Sequence, residues 1–361
     1  MSNERLYLDI HVLQNTPPSC INRDDTGSPK TAIYGGVTRA RVSSQAWKRA
    51  VRMFFRDTLS QEDRGERTKR IIQMVADAIA ALDPDADSMK LAQSIFETVG
   101  VKLENKKDKK TNSNEMITKA LFFLSHRQAE ALANVAVLEP EKLTNKKNME
   151  DMLNSNPSID LALFGRMVAD DAELNVDAAC QVAHAISTHA VRNEFDYFTA
   201  VDDLSPEDNA GAGHIGTVEF NSSVLYRYAT LNLTDLAGTL QPGEVKRAAI
   251  AFVEAFIRSM PTGKQNTFAN RTLPETVYLT LRRDQPVNLA GAFEKPVYTR
   301  EGGLMAPSAR ALKEYAQALY AKYDMPPAAE IDLGGEITGQ AAGGLKAMLD
   351  QLAALLDRGV S

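Results

Sequence analysis

Cysteine is scarce in this chain of 361 residues, since only Cys20 and Cys180 carry thiols. Two distant cysteines exclude a disulfide framework and a zinc site built on paired cysteines. No apolar run approaches the roughly 20 residues that a membrane-spanning helix needs, so no membrane partner is expected. The first residues lack the basic region and apolar core of a signal peptide, and we therefore expect a cytoplasmic protein.

Histidine is also rare, and none of the five has the i,i+4 or HExxH spacing of a metal site. No metal ion and no cofactor is therefore expected. The five are His11, His126, His184, His189 and His214.

An excess of positive charge is absent as well, because 41 Lys and Arg residues stand against 47 Asp and Glu residues, for a formal net charge of -6. This balance excludes a protein that coats nucleic acid with its whole surface, but it permits one basic groove on an acidic body. The length suffices for two domains, or for one domain with large insertions.

Against this acidic background, the segment 30–52 carries six cations and no Asp or Glu. Ser43 or Ser44 can cap a helix here, and helix N-termini attract anions. At about 100° per residue, one side of this helix is polar and the opposite side apolar. The polar stripe comprises Gln45, Lys48, Arg49, Arg52 and Arg56, and the apolar face comprises Ala46, Trp47, Ala50, Val51 and Phe54. The pattern predicts either a helix that binds a chain of phosphate groups or a solvated amphipathic helix.

The residues before this helix give strand and loop signals. Alternation predicts a strand over 6–13 and a short extended piece over 37–42. Between them, the density of turn-forming residues over 14–33 predicts a long loop, and long ordered loops are often functional. Arg23 in that loop is expected to contact a phosphate or to pair with Asp24 or Asp25.

A hydrophilic region over 60–157 shows helical periodicity in three segments, 67–83, 89–99 and 115–138, which predicts a small inserted helical bundle. A lysine-rich stretch, 101–114, separates two of them. It is interpreted either as a solvated disordered loop or as a segment that binds nucleic acid without regard to sequence. In the second case, Lys142, Lys146 and Lys147 can contribute further contacts.

Two further stretches present candidate contact residues. The Gly-Arg-Met sequence at 165–167 suits a turn that exposes Arg166 and Met167. Two extended segments over 193–223 flank the polar tip SPEDNAGAG and predict a long projecting hairpin, with Phe198 and Ile215 as apolar wedges.

The rest of the chain reads as a compact set of strands and helices. A loop at 261–267 carries Lys264 and Gln265 and is too short for a Walker phosphate-binding motif. Strands are predicted over 178–191, 224–233 and 277–281, and helices over 242–260, 306–323 and 344–356. Without the insertion and the hairpin, the order is strand, helix, strand, strand, helix, strand, which is the ferredoxin-like arrangement of RNA-recognition domains. The aromatic signature of ordinary RNA-recognition motifs is absent.

Eight collinear motifs closely resemble one family, the backbone subunit CasC of the type I-E CRISPR Cascade complex (Cse-type), within the RAMP superfamily. The similarity fades over about 60–155 and after about 325. The motifs are SCINRDD (19–25), AIYGG…RARVSSQAWKRA (32–50), DLALFGRM (160–167), AHAISTH (183–189), DYFTAVDDL (196–204), HIGTVEFNSSVLYRYA (214–229), GKQNT (263–267) and NLAGAFEKPV (288–297).

The resemblance implies an α+β fold with a ferredoxin-like (RRM-like) palm, an inserted helical fingers domain and a long β-hairpin thumb. The palm is expected over 1–59, 159–192 and 224–361, the last with the C-terminal helices. The fingers are expected over 60–158 and the thumb over 193–223. Copies in this family polymerise head-to-tail as a helical filament along a CRISPR guide RNA, hold it for pairing with a target DNA strand, and carry no nuclease activity. Other Cascade subunits are the remaining expected partners, in antiviral defence.

The resemblance also implies which residues contact the RNA. Met167 matches a palm residue beside the bases, and the hairpin tip and Tyr197 depart from the family pattern. The turn at 165–167 and the loop at 261–267 add Arg166, Lys264 and Gln265 to the predicted interface. The backbone contacts fall on Arg23, Lys30, Ser43, Gln45, Lys48, Arg49 and Arg52, and the thumb contacts on Phe198, Thr199 and Ile215.

Two alternatives stay open from the residues alone. The first is a RAMP-type endoribonuclease that processes CRISPR RNA, for which His11, His184 and His189 are the candidate general bases. The second is a structural module whose basic helix binds an acidic protein.

Overall fold

The computed structural model describes residues 5–107, 114–200, 214–241 and 243–359 of a mixed α+β protein. Short 3-10 turns lie at Pro140–Thr144, Ala172–Leu174 and Leu289–Phe293. The strands are β1 (Tyr7–Ser19), β2 (Thr31–Tyr34), β3 (Val37–Val42), β4 (Gly65–Thr68), β5 (Leu103–Lys107), β6 (Asn114–Thr118), β7 (Phe122–Ser125), β8 (Cys180–Val182), β9 (Ala185–Ser187), β10 (Glu194–Ala200), β11 (His214–Asn232), β12 (Thr276–Arg282) and β13 (Ala329–Asp332). The helices are α1 (Ser44–Thr58), α2 (Ile71–Leu82), α3 (Ser88–Thr98), α4 (His126–Leu138), α5 (Lys146–Asn154), α6 (Ile159–Phe164), α7 (Leu233–Thr239), α8 (Glu244–Arg258), α9 (Gln265–Phe268), α10 (Met305–Tyr323) and α11 (Leu345–Gly359).

The chain divides into two compact units. The first comprises Met1–Val51, Val182–Thr230 and Phe252–Ser361, and the second comprises Arg52–Gln181 and Leu231–Ala251. None of the helices among the described residues is both long and apolar enough to cross a membrane.

A large sheet with the order β13-β12-β1-β11-β9-β3-β2 organises the first unit, with β8 and β10 also paired to β11. The pairs β1–β12, β12–β13, β9–β11, β3–β9, β2–β3 and β10–β11 are antiparallel. The large antiparallel sheet agrees with the expected α+β class. The strand predicted over 277–281 and the helices predicted over 242–260, 306–323 and 344–356 are confirmed, with shifts of a few residues at their ends. The strand predicted over 178–191 is instead two three-residue strands, β8 and β9, and the strand predicted over 224–233 is the end of the continuous strand β11.

Strand β1 continues to Ser19 and β2 begins at Thr31, so the loop predicted over 14–33 is confined to residues 20–30. The register of β1 with β12 ends at Leu13. Beyond that point Gln14 donates through Nε2 to the carbonyl of Thr272 at 3.0 Å, and the Thr272 hydroxyl donates to the carbonyl of Asn15 at 2.7 Å. These contacts keep the chain extended through Pro17 and Pro18, because proline suits an extended backbone where no ladder hydrogen bond is required.

The second unit packs α2, α3, α4 and α5 around one apolar cluster that includes Ile72, Phe96 and Leu132. It is not purely helical as expected, because β4 pairs with β7 and β5 pairs with β6. The segment 115–125, predicted as the start of a helix, forms strands instead, and its aromatic and β-branched residues suit them. Helix α4 begins only after Ser125, whose hydroxyl accepts the Gln128 N–H at 3.0 Å while the Gln128 side chain accepts the Ser125 N–H at 3.1 Å.

A polar cluster lies buried in the core of the first unit. Tyr228 donates to Asp9 Oδ1 at 2.9 Å and the Val287 N–H donates to Oδ2 at 2.8 Å. Burial nevertheless raises the pKa of Asp9 from 3.8 to about 6. His11 stacks on Tyr228 with ring centroids 5.2 Å apart, and burial lowers the pKa of this histidine to about 3. The fold therefore holds a neutral imidazole beside a carboxyl group that resists ionisation.

This cluster predicts a pH dependence of the first unit. Because the folded pKa of Asp9 is raised, its stabilising contribution is complete below pH 3.8 and is lost as the pH rises through about 6. Between pH 3.8 and about 6 the native chain should lose on the order of 2 kcal/mol of unfolding free energy that Asp9→Asn, which has no carboxyl group to ionise, retains. The stability of Asp9→Asn relative to the native chain should therefore rise by that amount. Fluorescence of Trp47, the single tryptophan, reports denaturant unfolding of this unit.

The exposed Asp25→Asn exchange is the control and should show no such gain. A difference between Asp9→Asn and the native chain that does not change with pH would contradict the assignment.

Candidate nucleic-acid interface

A buried aromatic–cation stack fixes the position of helix α1. The Arg227 guanidinium carbon lies 3.7 Å from the centroid of the Trp47 ring and 4.4 Å from that of Phe256. Arg227 also donates to Gln14 Oε1 at 2.5 Å and to the carbonyl of Phe256. Burial lowers the pKa of Arg227 to about 9, which still leaves it charged at neutral pH. Trp47 is thus an anchor that turns the opposite side of the helix outward.

The outward side of α1 carries the predicted polar residues of the first unit. Gln45 and Arg49 are exposed and Lys48 is half-buried, whereas Trp47, Ala50 and Val51 are buried. The inward face differs from the prediction at one place, because Phe55 and not Phe54 is fully buried.

The N-terminus of α1 meets the loop that precedes β2. The Ser43 N–H donates to Asn22 Oδ1 at 2.8 Å, and the Lys30 N–H donates to the carbonyl of Asn22 at 2.9 Å. The Ser43 hydroxyl accepts the Ala46 N–H at 3.4 Å, a long cap bond. The first N–H groups of the helix have no partner within it, so this end carries partial positive charge.

The loop before α9 meets the same region. A Cβ on Gly263 would lie 2.2 Å from the carbonyl oxygen of Ile21, so only glycine permits this approach. Lys264 follows in a left-handed conformation, and Gln265 begins α9. Three segments that are distant in sequence, the loop 20–30, the start of α1 and the loop 263–268, therefore lie side by side.

Five cations on these segments form what we call the unpaired cation group. Among the residues that the structure describes, none of their side chains makes an ion pair with an acidic side chain. Arg23 therefore does not pair with Asp24, whose carboxylate accepts from Thr26 and Ser28 instead. The group comprises Arg23, Lys30, Lys48, Arg49 and Lys264.

Several cations of the second unit form ion pairs with acidic side chains. Lys146 pairs with Asp171 at 2.7 Å and with Glu150, and Lys142 pairs with Glu139. Similar pairs neutralise Arg56, Lys69, Arg70 and Lys102. The suggestion that Lys142 and Lys146 add to a nucleic-acid grip is therefore not supported by their surroundings. Lys106 and Lys107 are exposed on β5, and residues 108–113 lie outside the described part of the chain.

Other arginines of the basic segment have internal roles. Arg39 is fully buried and donates to the carbonyls of Ser187 at 3.0 Å and Phe293 at 2.8 Å. In the second unit, the Arg52 guanidinium lies 4.9 Å from the centroid of the Phe123 ring, its Nε is buried, and burial lowers its pKa. Arg52 is thus only partly available to a ligand, unlike the exposed stripe residue that the helical pattern predicts.

Arg166 contradicts the sequence prediction most clearly. It is 4% exposed and donates to the carbonyls of Leu174 at 2.7 Å, Leu153 at 2.9 Å and Phe123 at 3.3 Å. It also donates to Asn154 Oδ1 at 2.6 Å, and burial lowers its pKa to about 10. All of these acceptors belong to the protein, so the predicted exposure of Arg166 is wrong, and its contact with RNA stays a prediction. Its neighbour Met167 is 83% exposed, as the turn predicted.

The hairpin strands pair in a register that sets Phe198 opposite Gly216 and Thr199 opposite Ile215. Successive side chains of a strand point to opposite faces, so Phe198 and Thr199 cannot act from the same side. The Ile215 side chain and the tip at 201–213 lie outside the described residues. At the base, the Ser28 hydroxyl donates to Glu219 Oε1 at 2.8 Å, which joins the hairpin to the loop 20–30.

Residues 8–355 match the family described as CT1975-like protein. The chain belongs to the CT1975-like family. It is 33% identical to a chain of a solved CRISPR RNA-guided surveillance complex, pre-nicking, over 96% of this chain and 99% of that one, with a TM-score of 0.82. A chain of another CRISPR RNA-guided surveillance complex is 27% identical over 97% and 99% of the two chains, with a TM-score of 0.63. Comparison with curated proteins gives no match.

His184 and His189 of this CT1975-like chain both contact other groups of the protein. His189 has both ring nitrogens engaged, Nδ1 with the Ala190 carbonyl at 2.9 Å and Nε2 with the Val224 N–H at 3.1 Å. His184 lies 3.1 Å from Arg41 Nη1, and burial together with Arg41 and Lys30 lowers its pKa. Within the described ranges, no group of three His, Cys, Asp or Glu side chains is arranged to hold a metal ion.

Sequence reasoning missed three parts of the CT1975-like site. Asn22 and Gly263 lie inside the matching motifs, but nothing local shows that Asn22 accepts the Ser43 N–H before α1, or that Gly263 lies against the carbonyl of Ile21. The Arg227 stack on Trp47 links residues 180 positions apart, so only the fold reveals it.

We expect the buried position of Arg166 to make it structural. Arg166→Met should destabilise the second unit by on the order of 3 kcal/mol, because three carbonyls and one amide would be left without a charged donor. Hydrogen exchange of α5 measures this effect. Met167→Ala, at the adjacent exposed position, should change stability by no more than about 0.5 kcal/mol. Native-like protection in Arg166→Met with weakened RNA binding would instead restore the predicted contact.

Proposed function

We propose that this protein is a non-catalytic CRISPR RNA-binding backbone subunit of a type I-E Cascade surveillance complex. The observation that carries the proposal is the unpaired cation group, together with the likeness to chains of RNA-guided surveillance complexes. Copies line up head-to-tail along the guide RNA and hold it for pairing with a target DNA strand. The remaining partners are other Cascade subunits.

The charge pattern suits the backbone of RNA. Lys and Arg contact phosphates without regard to base identity, and each contact releases counterions. A guide has to keep its base edges free, because base pairing reads the target. Side chains fixed on a helix by the Trp47 anchor meet this need, since they project from one rigid surface.

The sheet order supports the proposed palm. The succession β12-β1-β11-β9, with α1 following β1 and α8 between β11 and β12, is the arrangement expected of a ferredoxin-like unit. We assign the hairpin of β10 and β11 as the thumb and residues 60–158, which belong to the second unit, as the fingers. A hairpin reaching a neighbouring copy makes a heterologous contact, and such contacts generate a helical filament.

Two pairs of cations of equal charge allow a matched test. Lys48→Gln with Arg49→Gln should weaken binding of single-stranded RNA of any sequence, and lower the log–log salt slope by about 0.7 for each phosphate that is no longer neutralised. Lys142→Gln with Lys146→Gln removes the same charge from paired residues and should leave both quantities unchanged. Affinity measured by fluorescence anisotropy at several salt concentrations decides between them.

An equal weakening in both double variants would show that net charge, not this surface, sets the affinity. Unchanged affinity in the Lys48 and Arg49 variant would contradict the proposed RNA contact directly.

A nuclease role requires a general base near the RNA and a second acid–base group. His184 lies near Arg41 and Lys30, and it is the histidine to test. Repeat RNA incubated with the native chain should remain intact. Cleavage that His184→Ala abolishes would favour the endoribonuclease alternative.

A further inference from the structure

Gly216 lies under an aromatic ring in the proposed thumb. A Cβ added to Gly216 would be 2.4 Å from Cζ, 2.8 Å from Cε1 and 3.1 Å from Cε2 of Phe198, the residue directly opposite it. The ring therefore lies across the bare backbone of the glycine. Gly216 is not one of the glycines with a positive φ, so the backbone does not require glycine there. The close approach of the ring is what requires it.

We propose that Gly216 is a positioning residue that holds the Phe198 ring in one orientation, as an apolar wedge between nucleobases of single-stranded RNA. This inference rests on the proposed function. The ring stays 41% exposed, so part of it remains available to a base. A wedge that is already fixed loses less conformational freedom when it inserts into a stack than a freely rotating ring does.

The strand supplies its own control position. Thr217, next to Gly216, projects from the opposite face of the hairpin and is exposed. Thr217→Ala therefore changes the same strand without altering the contact between the Phe198 ring and the Gly216 backbone. In Gly216→Ala, by contrast, the new methyl group meets the far end of a side chain that can swing away, so the hairpin folds and the ring moves.

The packing of the Phe198 ring on Gly216 is tested without RNA. An aromatic ring lying on a glycine shifts the signals of its α protons upfield through the ring current. In NMR spectra of the full chain with labelled glycine, the Gly216 α protons should be shifted upfield, and Phe198→Leu should abolish the shift. Identical Gly216 signals in the native chain and in Phe198→Leu would contradict the packing of the Phe198 ring on Gly216.

The wedge is tested with guide-length RNA that contains 2-aminopurine, which fluoresces more strongly when it is unstacked. Binding of the native chain and of Thr217→Ala should increase the fluorescence at regularly spaced positions. Gly216→Ala should lose most of that increase while Kd rises by no more than a few fold, because the proposed phosphate contacts lie outside the hairpin. An increase in Gly216→Ala equal to that of the native chain would overturn the proposal.

A double-variant cycle separates positioning from a purely structural role. In a Phe198→Ala background the added methyl group has no ring to displace, so Gly216→Ala should cause no further decrease of fluorescence. An additional decrease would mean that Gly216 acts through the hairpin backbone, which contradicts the inference. A native chain that binds no RNA would contradict the proposed function and the insertion of Phe198 between nucleobases. The spectra recorded without RNA would still show whether the Phe198 ring packs on Gly216.

Discussion

The stack of Arg227 on Trp47 and Phe256 is the interaction on which the candidate interface depends. A buried arginine is costly to desolvate, and here two aromatic faces, Gln14 and a carbonyl oxygen compensate it. Trp47 belongs to helix α1, and Arg227 belongs to the central strand β11. The stack therefore fixes the rotation of α1 about its own axis, and with it the outward direction of Lys48 and Arg49.

Under the proposed function, cations without carboxylate partners give an acidic protein one local surface for a polyanion. Eight described cations of the second unit have carboxylate partners, and Arg39 and Arg166 are enclosed by carbonyl groups. The unpaired cation group lies on three neighbouring segments of the first unit, and its distinguishing feature is that these segments lie side by side. A formal net charge of -6 then opposes indiscriminate binding elsewhere, while the local surface still attracts phosphates.

Local patterns predicted what depends on local sequence. The 3.6-residue period located α1 and α8, because one face of each helix is buried. The hairpin was predicted from two extended segments around a polar tip, and its strand β10 is exposed, as a projecting hairpin requires. Long-range contacts were beyond such reasoning. Arg166 lies in a turn, and only its enclosure by residues near 123, 153 and 174 shows that it is structural. Lys146 looks available in sequence, yet Asp171 neutralises it across the fold.

The central claim is that Lys48 and Arg49 hold the ribose–phosphate strand of a guide and leave its bases free. A structure of the full chain bound to guide RNA measures this most directly, through the distances from Lys48 Nζ and the Arg49 guanidinium to the nearest phosphate oxygens. Charge-assisted hydrogen bonds of about 2.7–3.2 Å to consecutive phosphates are the predicted result. Phosphates bound elsewhere, with both side chains facing solvent or an acidic protein surface, would contradict the account.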